Sequence, residues 1–394
     1  MSKFQIHISG SKSISNRFLI MEALASTKVK VSNLSNSDDS EVMQSILAHQ
    51  EQVNWDVGHA GTAMRFLTAY AAIQKRDIVL CGSQRMHQRP IGPLVDALRS
   101  LGVQIDYLEN EGFPPLKING SEIQGGELDI PGSMSSQFIS ALAMIAPSVP
   151  GGLRINILND LVSKPYLQMT LSMMEAFHIQ YNWSGNEIVI PEQEYLVNDF
   201  EIESDWSSAS YWFSLVAVGI VPEVILTSFF DNSSQGDSAL INMYEQLGVK
   251  AIQEGNKLIL TKSGAIVDQF KYNFHEQPDI AQTVVVSCFM LGVPAIMTGL
   301  ETLPIKETDR LKAMQVEIGK LGGKIQIENQ NSLLLVQSTG NIPSGPIQIE
   351  TYKDHRMAMA FAPLTFIHKN MEILDSNVVS KSYPDFWKDL SKIG

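Results

Sequence analysis

The sequence contains little cysteine, little charge for its length and no long hydrophobic run, and each deficit excludes a class of protein. Only two of its 394 residues are cysteine, which excludes a disulfide scaffold or a cysteine-based metal cluster and fits a reducing cytosol. Charged residues make up 18% and the net charge is −13, which argues against nucleic-acid binding through a generally positive surface. The longest apolar stretch, residues 283–297, is interrupted by Pro294 and is too short to span a bilayer. The first residues also lack the apolar region of a signal peptide, so we expect a soluble, cytoplasmic protein without membrane or nucleic-acid partners.

Motifs of several common enzyme classes are also missing. No Gly-x-Gly occurs, which excludes the dinucleotide fingerprint, and the glycine spacing before residues 10–13 does not fit a P-loop. Neither His-x-x-x-His nor Cys-x-x-Cys is present, so no zinc site is indicated. The Gly-x-Ser-x-Gly nucleophile elbow is absent too.

A cluster of small polar residues followed by an apolar helix recurs along the chain. Six such segments follow one another at steps of 49, 74, 72, 72 and 77 residues, counted from Ser13, Thr62, Ser136, Ser208, Ile280 and Met357. Amphipathic helices interleave with them, and four end at a residue placed for a left-handed cap: Gly102, His178, Gly248 and Gly322. This near-constant spacing predicts an α/β fold of six βαβαββ repeats, three in each half, with the first helix of each repeat buried. The alternative is an ordinary α/β protein whose helices recur by accident.

The repeat spacing also predicts two lobes without a long linker. We expect an N-terminal lobe over residues 11–203 and a C-terminal lobe made of residues 1–10 plus 204–394. The chain would cross between them near residues 203–205.

Basic residues stand beside small residues at several helix starts without balancing carboxylates, and in an acidic chain this pattern indicates anion binding. Lys12 and Arg17 lie in Gly-Ser-Lys-Ser-Ile-Ser-Asn-Arg, where backbone N–H groups, hydroxyls and the positive helix end favour phosphate or carboxylate. Arg65 follows Gly61, whose missing side chain would let a ligand approach the backbone, and Arg89 precedes a helix-start proline. Further candidates are Ser135, Ser136, Gln137, Lys306, Arg310, Arg356 and Lys381.

Each of these signals has a plain structural alternative. A serine cluster before a helix is most often an N-cap, and residues 306–310 could form a solvated, salt-bridged turn. Asp354 and Arg356 could be a structural pair, and Asp279 after Pro278 could be only a cap. The recurrence of the signals at equivalent points of a repeat favours a binding role.

Taken together, the motifs resemble one family, the EPSP synthases or 3-phosphoshikimate 1-carboxyvinyltransferases. The matching strings are residues 10–17, Ala-Gly-Thr-Ala-Met-Arg at 60–65, Arg-Pro-Ile-Gly at 89–92, Ser-Ser-Gln at 135–137, Ser-Lys-Pro-Tyr at 163–166, Asp205 with Ser-Ser-Ala-Ser-Tyr at 207–211, Pro-Asp at 278–279, Lys-Glu-Thr-Asp-Arg at 306–310, Asp-His-Arg at 354–356 and Ser-Lys at 380–381. They follow the family's order over almost the whole chain. The resemblance implies a two-domain inside-out α/β barrel with three βαβαββ units per domain and an active site in the interdomain cleft.

The resemblance also implies a reaction and its residues. The enolpyruvyl group of phosphoenolpyruvate would pass to the 5-hydroxyl of shikimate 3-phosphate, with no metal or organic cofactor, in a monomeric enzyme. Asp279 would act as general base, Glu307 would be a candidate proton donor, and Lys306 would contact the reacting centre. Shikimate 3-phosphate would be bound by Lys12, Ser13, Arg17, Ser135, Ser136, Gln137, Ser163, Tyr166, Asp279 and Lys306. Phosphoenolpyruvate would be bound by Lys12, Gly61, Arg65, Arg89, Gln137, Arg310, Arg356 and Lys381.

Two other functions remain open on the same scaffold. The sister transferase that acts on UDP-N-acetylglucosamine generally carries a cysteine five residues before the Arg-Pro pair, where this chain has Gln84. A non-catalytic phosphometabolite-binding protein is the second alternative, since fold alone does not establish activity. The chain departs from the family's pattern at Ser9, His59, Phe66 and Thr302, which bears on the fine shape of the phosphoenolpyruvate pocket.

Overall fold

The structure is a computed structural model that describes residues 4–120, 122–329, 331–337 and 343–393. The chain forms two compact units. The N-terminal unit contains Ser11–Ile202, and the C-terminal unit contains Gly10 and the chain before it together with the chain from Glu203 onward. Glu203, which we had placed at the end of the N-terminal lobe, lies in the C-terminal unit, where its carboxylate accepts from Ser233 Oγ at 2.6 Å. Residues 1–3 and 394 of the expected C-terminal lobe lie outside the described residues.

Strand β1 (Phe4–His7) comes first in the described chain and belongs to the C-terminal unit. The helices of the N-terminal unit are α1 (Lys12–Leu24), α2 (Asp38–Ala48), α3 (Gly61–Ala72), α4 (Gly92–Ser100), α5 (Ser136–Ile145) and α6 (Lys164–Ala176). Its strands are β2 (Val31–Ser32), β3 (Asn54–Asp56), β4 (Ile78–Cys81), β5 (Gln104–Tyr107), β6 (Leu116–Asn119), β7 (Gly126–Pro131), β8 (Leu153–Leu158), β9 (Asn182–Ser184), β10 (Glu187–Ile190) and β11 (Phe200–Glu201).

The C-terminal unit continues the same alternation of strand and helix. Its helices are α7 (Trp206–Ala217), α8 (Leu240–Glu245), α9 (Ala281–Leu291), α10 (Arg310–Lys320), α11 (His355–Phe361), α12 (Leu364–Ile367) and α13 (Phe386–Leu390). Its further strands are β12 (Glu223–Thr227), β13 (Leu247–Glu254), β14 (Lys257–Ile266), β15 (Phe270–Asn273), β16 (Ala295–Thr298), β17 (Lys324–Glu328), β18 (Ser332–Gln337), β19 (Ile347–Ile349) and β20 (Met371–Ile373).

Four sheets share one topology and confirm the predicted α/β fold. Their strand orders are β3-β4-β6-β5, β7-β8-β10-β9, β1-β12-β14-β13 and β15-β16-β18-β17. In each, the first two strands are parallel and the remaining neighbours are antiparallel. A parallel pair needs a long crossover, whereas an antiparallel pair can be joined by a short turn. One α-helix lies in the crossover of three of these sheets, and the connection from β1 to β12 contains the whole N-terminal unit and α7. Each sheet with its two helices is therefore one βαβαββ repeat.

The other two repeats are shorter than expected. Within the described residues, their sheets consist of the parallel pairs β11-β2 and β19-β20. The first marker step is 49 residues instead of 72–77, which leaves no room for a hairpin after α2.

The predicted burial and helix caps are confirmed. Every residue of α7 except Ser207 is buried, as is every residue of α3 except Thr62. The positions predicted for left-handed caps all have positive φ: Gly102 at 88°, His178 at 64°, Gly248 at 82° and Gly322 at 80°. Each unit encloses a hydrophobic core of its own, so the charged side chains within these buried helices must find partners inside the fold. Across the described ranges, no helix has both the length and the apolar character needed to cross a membrane.

Candidate active site

The N-terminal unit buries one guanidinium among uncharged acceptors. Arg17, in the second turn of α1, is 1% exposed and donates to Thr170 Oγ1 at 2.7 Å, to the Ser13 carbonyl at 2.9 Å and to the Tyr166 carbonyl at 3.1 Å. Its guanidinium carbon lies 5.2 Å from the centre of the Phe66 ring. Among the described residues it has no ion pair with a carboxylate. Burial therefore lowers the pKa of Arg17 to about 10, because removal from water disfavours the charged form.

The start of α1 places a second cation near Arg17. Lys12 is the first residue of the helix, whose N-cap is Ser11, and its Nζ lies 3.4 Å from Asp39 Oδ2. Asp39 is almost fully buried at the start of α2 and did not stand out in the sequence. The N-cap interpretation of this serine cluster is therefore correct for Ser11, and it coexists with a clustering of cationic side chains.

Gly61 and two arginines form a further cluster at the start of α3. Arg65 donates to the Gly61 carbonyl at 2.9 Å and to the Pro90 carbonyl at 3.1 Å, which ties the helix start to the segment that follows Arg89. The Arg89 guanidinium lies against Gly61 so closely that an added Cβ would be 2.8 Å from its central carbon. The close approach that we predicted at Gly61 is thus made by an arginine of the same unit.

Two further helix starts complete the N-terminal set. Ser135 is the N-cap of α5 and accepts from the Gln137 backbone N–H at 3.3 Å. The Gln137 side chain donates to Thr62 Oγ1 at 3.3 Å, which connects the starts of α5 and α3. Ser163, the N-cap of α6, has a φ of 55°. The remaining predicted residues, Ser136 and Tyr166, lie in the first turns of α5 and α6.

The C-terminal unit gathers its cations around one aspartate. Asp279, in a single 3₁₀ turn before α9, lies 3.3 Å from Lys306 Nζ, 3.2 Å from Arg310 Nη1 and 3.3 Å from Arg356 Nη2. Burial acts to raise the pKa of Asp279, but its three cationic neighbours outweigh that effect and hold the pKa well below the usual range. Asp279 is therefore a carboxylate. The idea that it is only a helix cap is wrong, because its oxygens pair with three cations and the N-cap of α9 is Ile280.

Arg310 joins Asp279 to two further carboxylates. It is 1% exposed and donates to Glu307 Oε2 at 2.8 Å and to Asp354 Oδ2 at 2.7 Å. Glu307 also accepts from Lys381 Nζ at 2.7 Å. The expectation of basic residues without balancing carboxylates is therefore wrong for this unit. The solvated turn that we considered at 306–310 is also wrong, because Arg310 is buried.

A fourth carboxylate, Asp237, is connected to the cluster through a hydroxyl. Arg356 donates to Ser207 Oγ at 3.4 Å, and Ser207 donates a very short hydrogen bond to Asp237. Asp237 is 4% exposed, and burial raises its pKa to about 6 although the Ser207 bond and Arg356 act to lower it. Ser207 belongs to a family-matching segment of the sequence, whereas no motif indicated Asp237. Among the described residues, no group of three His, Cys, Asp or Glu side chains has a metal-binding arrangement.

Comparison with known proteins gives a consistent result over the whole chain. A model of the EPSP synthase (3-phosphoshikimate 1-carboxyvinyltransferase) family matches residues 3–52 and 44–390. The chain belongs to the EPSP synthase family. A relative from Bacteroides fragilis (strain YCH46), called 3-phosphoshikimate 1-carboxyvinyltransferase, is 43% identical over 393 residues, which cover 100% of this chain and 95% of the relative.

More distant members agree. A protein of the same name from Vibrio cholerae serotype O1 (strain M66-2) is 36% identical over 417 residues, covering 99% of this chain and 96% of its own. The solved EPSP synthase of Acinetobacter baumannii has the same fold, with a TM-score of 0.78 at 19% identity, covering 100% of this chain and 96% of that chain. The resemblance inferred from the motifs is thus confirmed.

Within this family member, the predicted site residues form two sets of contacts, one in each unit. The C-terminal set forms one connected network of all its predicted members. In the N-terminal set, Arg17 contacts the Ser13 and Tyr166 segments, and Arg65 and Arg89 both contact Gly61. Among the described residues, the side chains of Ser13, Ser136 and Ser163 make no hydrogen bond. Three residues that the motifs did not indicate, Asp39, Thr170 and Asp237, are partners of motif residues.

Proposed function

We propose that this chain transfers the enolpyruvyl group of phosphoenolpyruvate to the 5-hydroxyl of shikimate 3-phosphate and releases phosphate. The observation that carries the proposal is Asp279, a carboxylate held by three cations and linked through Arg310 to a second acid, Glu307. A base and an acid inside one cationic network are what addition to an enol ether requires. Family membership supports the same choice of substrates.

The two units would divide the binding between them. We assign the shikimate 3-phosphate side mainly to the N-terminal unit, whose buried Arg17 has no carboxylate partner among the described residues. We assign phosphoenolpyruvate and the proton transfers mainly to the C-terminal unit. Guanidinium groups suit this task because they bind phosphate and carboxylate through paired hydrogen bonds. We further propose that the enzyme works as a cytoplasmic monomer without a cofactor.

In the addition step, the 5-hydroxyl oxygen bonds to C2 of phosphoenolpyruvate while its proton passes to Asp279. The methylene carbon simultaneously gains a proton from Glu307, with Lys306 beside it as the second candidate donor. In the elimination step, a methyl proton returns to Glu307, the C2–O bond to phosphate breaks, and the departing phosphate takes the proton from Asp279. Atoms and charge balance over the two steps, and the surrounding cations stabilise the tetrahedral intermediate.

The resting ion pairs must rearrange for these roles. A carboxylate whose pKa is held low is a weak base. Glu307 accepts from Arg310 and Lys381, so it must take up a proton from solvent before it can serve as the donor in the addition step. Substrate phosphate and carboxylate groups would draw the cations away from both acids. The pKa of Asp279 would then rise, which strengthens it as a base when substrate is in place.

The test is phosphate release by the purified protein. Both substrates together should produce phosphate, and either alone should not. Release with UDP-N-acetylglucosamine in place of shikimate 3-phosphate would indicate the sister activity. Binding of both substrates without release would indicate a non-catalytic binding protein. Arg356→Ala should chiefly raise the KM for phosphoenolpyruvate, and an unchanged KM would contradict its placement.

A further inference from the structure

Two strained residues stand directly before the Asp354–Arg356 segment. Tyr352 and Lys353 have φ values of 53° and 57°, and neither is glycine. The left-handed region brings Cβ too close to the backbone, so two consecutive residues rarely adopt it without outside support. Asp354, the next residue, supplies the carboxylate that holds Arg310. The placement of Asp354 thus depends on a turn that needs to be held.

The support comes from a carboxylate on α10. The Glu317 side chain is fully buried, and the Tyr352 hydroxyl donates to its Oε1 at 2.6 Å. Its Oε2 accepts from the Glu350 backbone N–H at 3.2 Å and from Lys320 Nζ at 2.7 Å. Burying a carboxylate costs free energy unless its oxygens accept hydrogen bonds. Both oxygens of Glu317 do so, from Tyr352 and Glu350 at the turn and from Lys320 on α10 itself.

Helix α10 contacts the segment before α11 at a second point, through Arg310. Arg310 and Glu317 are seven positions apart, about two helical turns, so they lie on one face of α10. Arg310 donates to Asp354, and Glu317 accepts from Glu350 and Tyr352. Asp354 in turn accepts from the backbone N–H of Arg356 at 2.9 Å. The two contacts therefore fix the register between the start of α10 and the start of α11.

We propose that Glu317 and Tyr352 are positioning residues that hold the strained turn and thereby place Arg310 and Arg356 for the anionic donor substrate. The inference rests on the proposed function, in which both arginines bind phosphoenolpyruvate. Without the Glu317 contact, the turn relaxes toward negative φ and Asp354 shifts. The two guanidinium groups then lose their common alignment, while the N-terminal set is untouched.

The first test compares Tyr352→Phe with the wild-type enzyme. We expect the KM for phosphoenolpyruvate to rise about fivefold, the size of one lost hydrogen bond, with the KM for shikimate 3-phosphate unchanged. Tyr70→Phe is the matched control, because it removes a tyrosine hydroxyl that donates to Gln50 Oε1 at 2.8 Å in the other unit. It should change neither KM. Thermal midpoints of the two variants should fall by similar amounts.

The second test is rescue by glycine. Lys353→Gly removes the cost of the left-handed conformation, so Tyr352→Phe combined with Lys353→Gly should recover most of the wild-type KM for phosphoenolpyruvate. An unchanged KM in Tyr352→Phe, an equal rise for both substrates or a failure of the rescue would each overturn the inference. If the wild-type enzyme is active, each of these outcomes contradicts only the role of Glu317 and Tyr352 and leaves the proposed function intact. A wild type that releases no phosphate contradicts both.

Discussion

Arg17 and Arg310 are both almost fully buried arginines at helix starts, yet their pKa values shift in opposite directions. Around Arg17 the acceptors are a hydroxyl and two carbonyls, and burial lowers its pKa to about 10. Burial also acts to lower the pKa of Arg310, but three carboxylates outweigh it and raise the pKa above its usual range. The N-terminal unit thus keeps a cation short of negative charge, whereas the C-terminal unit neutralises its cations internally.

In the proposed mechanism, this difference assigns substrate binding mainly to the N-terminal unit and proton transfer mainly to the C-terminal unit. An anion that reaches Arg17 gains a charge-assisted hydrogen bond without displacing a carboxylate. An anion that reaches Arg310 or Arg356 must compete with Asp279, Glu307 or Asp354. In the proposed mechanism, the surroundings of Arg17 favour tight substrate binding. The ion pairs of Arg310 and Arg356 make the protonation of Asp279 and Glu307 depend on whether substrate is bound. Each of the following predictions tests one side of that comparison.

Asp279→Asn should have the largest effect. The amide cannot accept the hydroxyl proton, so turnover should fall by about a hundred- to ten-thousandfold, the typical size of a general-base contribution. Shikimate 3-phosphate should still bind, because Arg17 lies in the other unit. Asp56→Asn, at an exposed aspartate whose Oδ1 accepts from Gly58, is the control. Phosphate release and calorimetry check both points, and near-normal turnover would remove Asp279 from the mechanism.

Arg310→Gln and Arg17→Gln should differ in their effect on folding. Arg310→Gln leaves three carboxylates without the cation that pairs with them. Removing one partner of a buried ion pair lowers the free energy of unfolding by about 3–5 kcal/mol. Arg17→Gln removes a buried charge that has no carboxylate partner among the described residues, so its loss should cost far less. Urea denaturation of the two variants at neutral pH gives the comparison. If both variants lose the same free energy of unfolding, the different surroundings of Arg17 and Arg310 do not affect stability as predicted.

Asp237 should make the C-terminal unit sensitive to pH. Its pKa is raised from 3.8 to about 6, so between these values the folded state binds more protons than the unfolded state. Stability contributed by this group is present below about pH 4 and is lost as the pH rises through 6. The shift of about two units corresponds to at most about 3 kcal/mol. The Asp237→Asn variant should therefore gain stability over wild type as the pH rises from 4 to 7. A pH-independent difference in denaturant midpoint would contradict this.

Arg17→Gln should also weaken ligand binding. The loss of one charge-assisted hydrogen bond predicts a rise of about thirtyfold in the dissociation constant for shikimate 3-phosphate, about 2 kcal/mol. The thermal shift produced by this ligand should shrink accordingly. If the ligand stabilises the variant as much as wild type, its phosphate and carboxylate are bound elsewhere.

The sequence predicted what depends on local patterns. The repeat, the buried first helices and the left-handed caps at Gly102 and His178 follow from spacing and residue type, and the motifs identified the family. The sequence could not predict the partners of the buried arginines. Arg310 contacts Asp354, which lies 44 positions away, and Arg17 contacts Thr170, which lies 153 positions away. Those pairings depend on how separate repeats pack, and no local signal marks the partner.

Gly61 shows the same limit. Its small size indicated that a ligand could approach the backbone, and the group that lies against it in the structure is an arginine side chain. Which group approaches was set by the fold, which brings Arg89 there from 28 positions away. Asp237 had no signal at all, since its importance comes only from its burial beside Ser207 and Arg356.

The pairing of β1 with β12 has a consequence for synthesis of the chain. Phe4 aligns with Val224 in a parallel register, so β1 leaves the ribosome well before its partner strand, which follows more than two hundred residues later. By then the N-terminal unit can already be folded. A fragment that starts at Glu203 would leave one side of β12 as an open edge, the kind of surface that recruits other chains. Anyone dividing this protein into halves would therefore need to graft the opening segment onto the second piece.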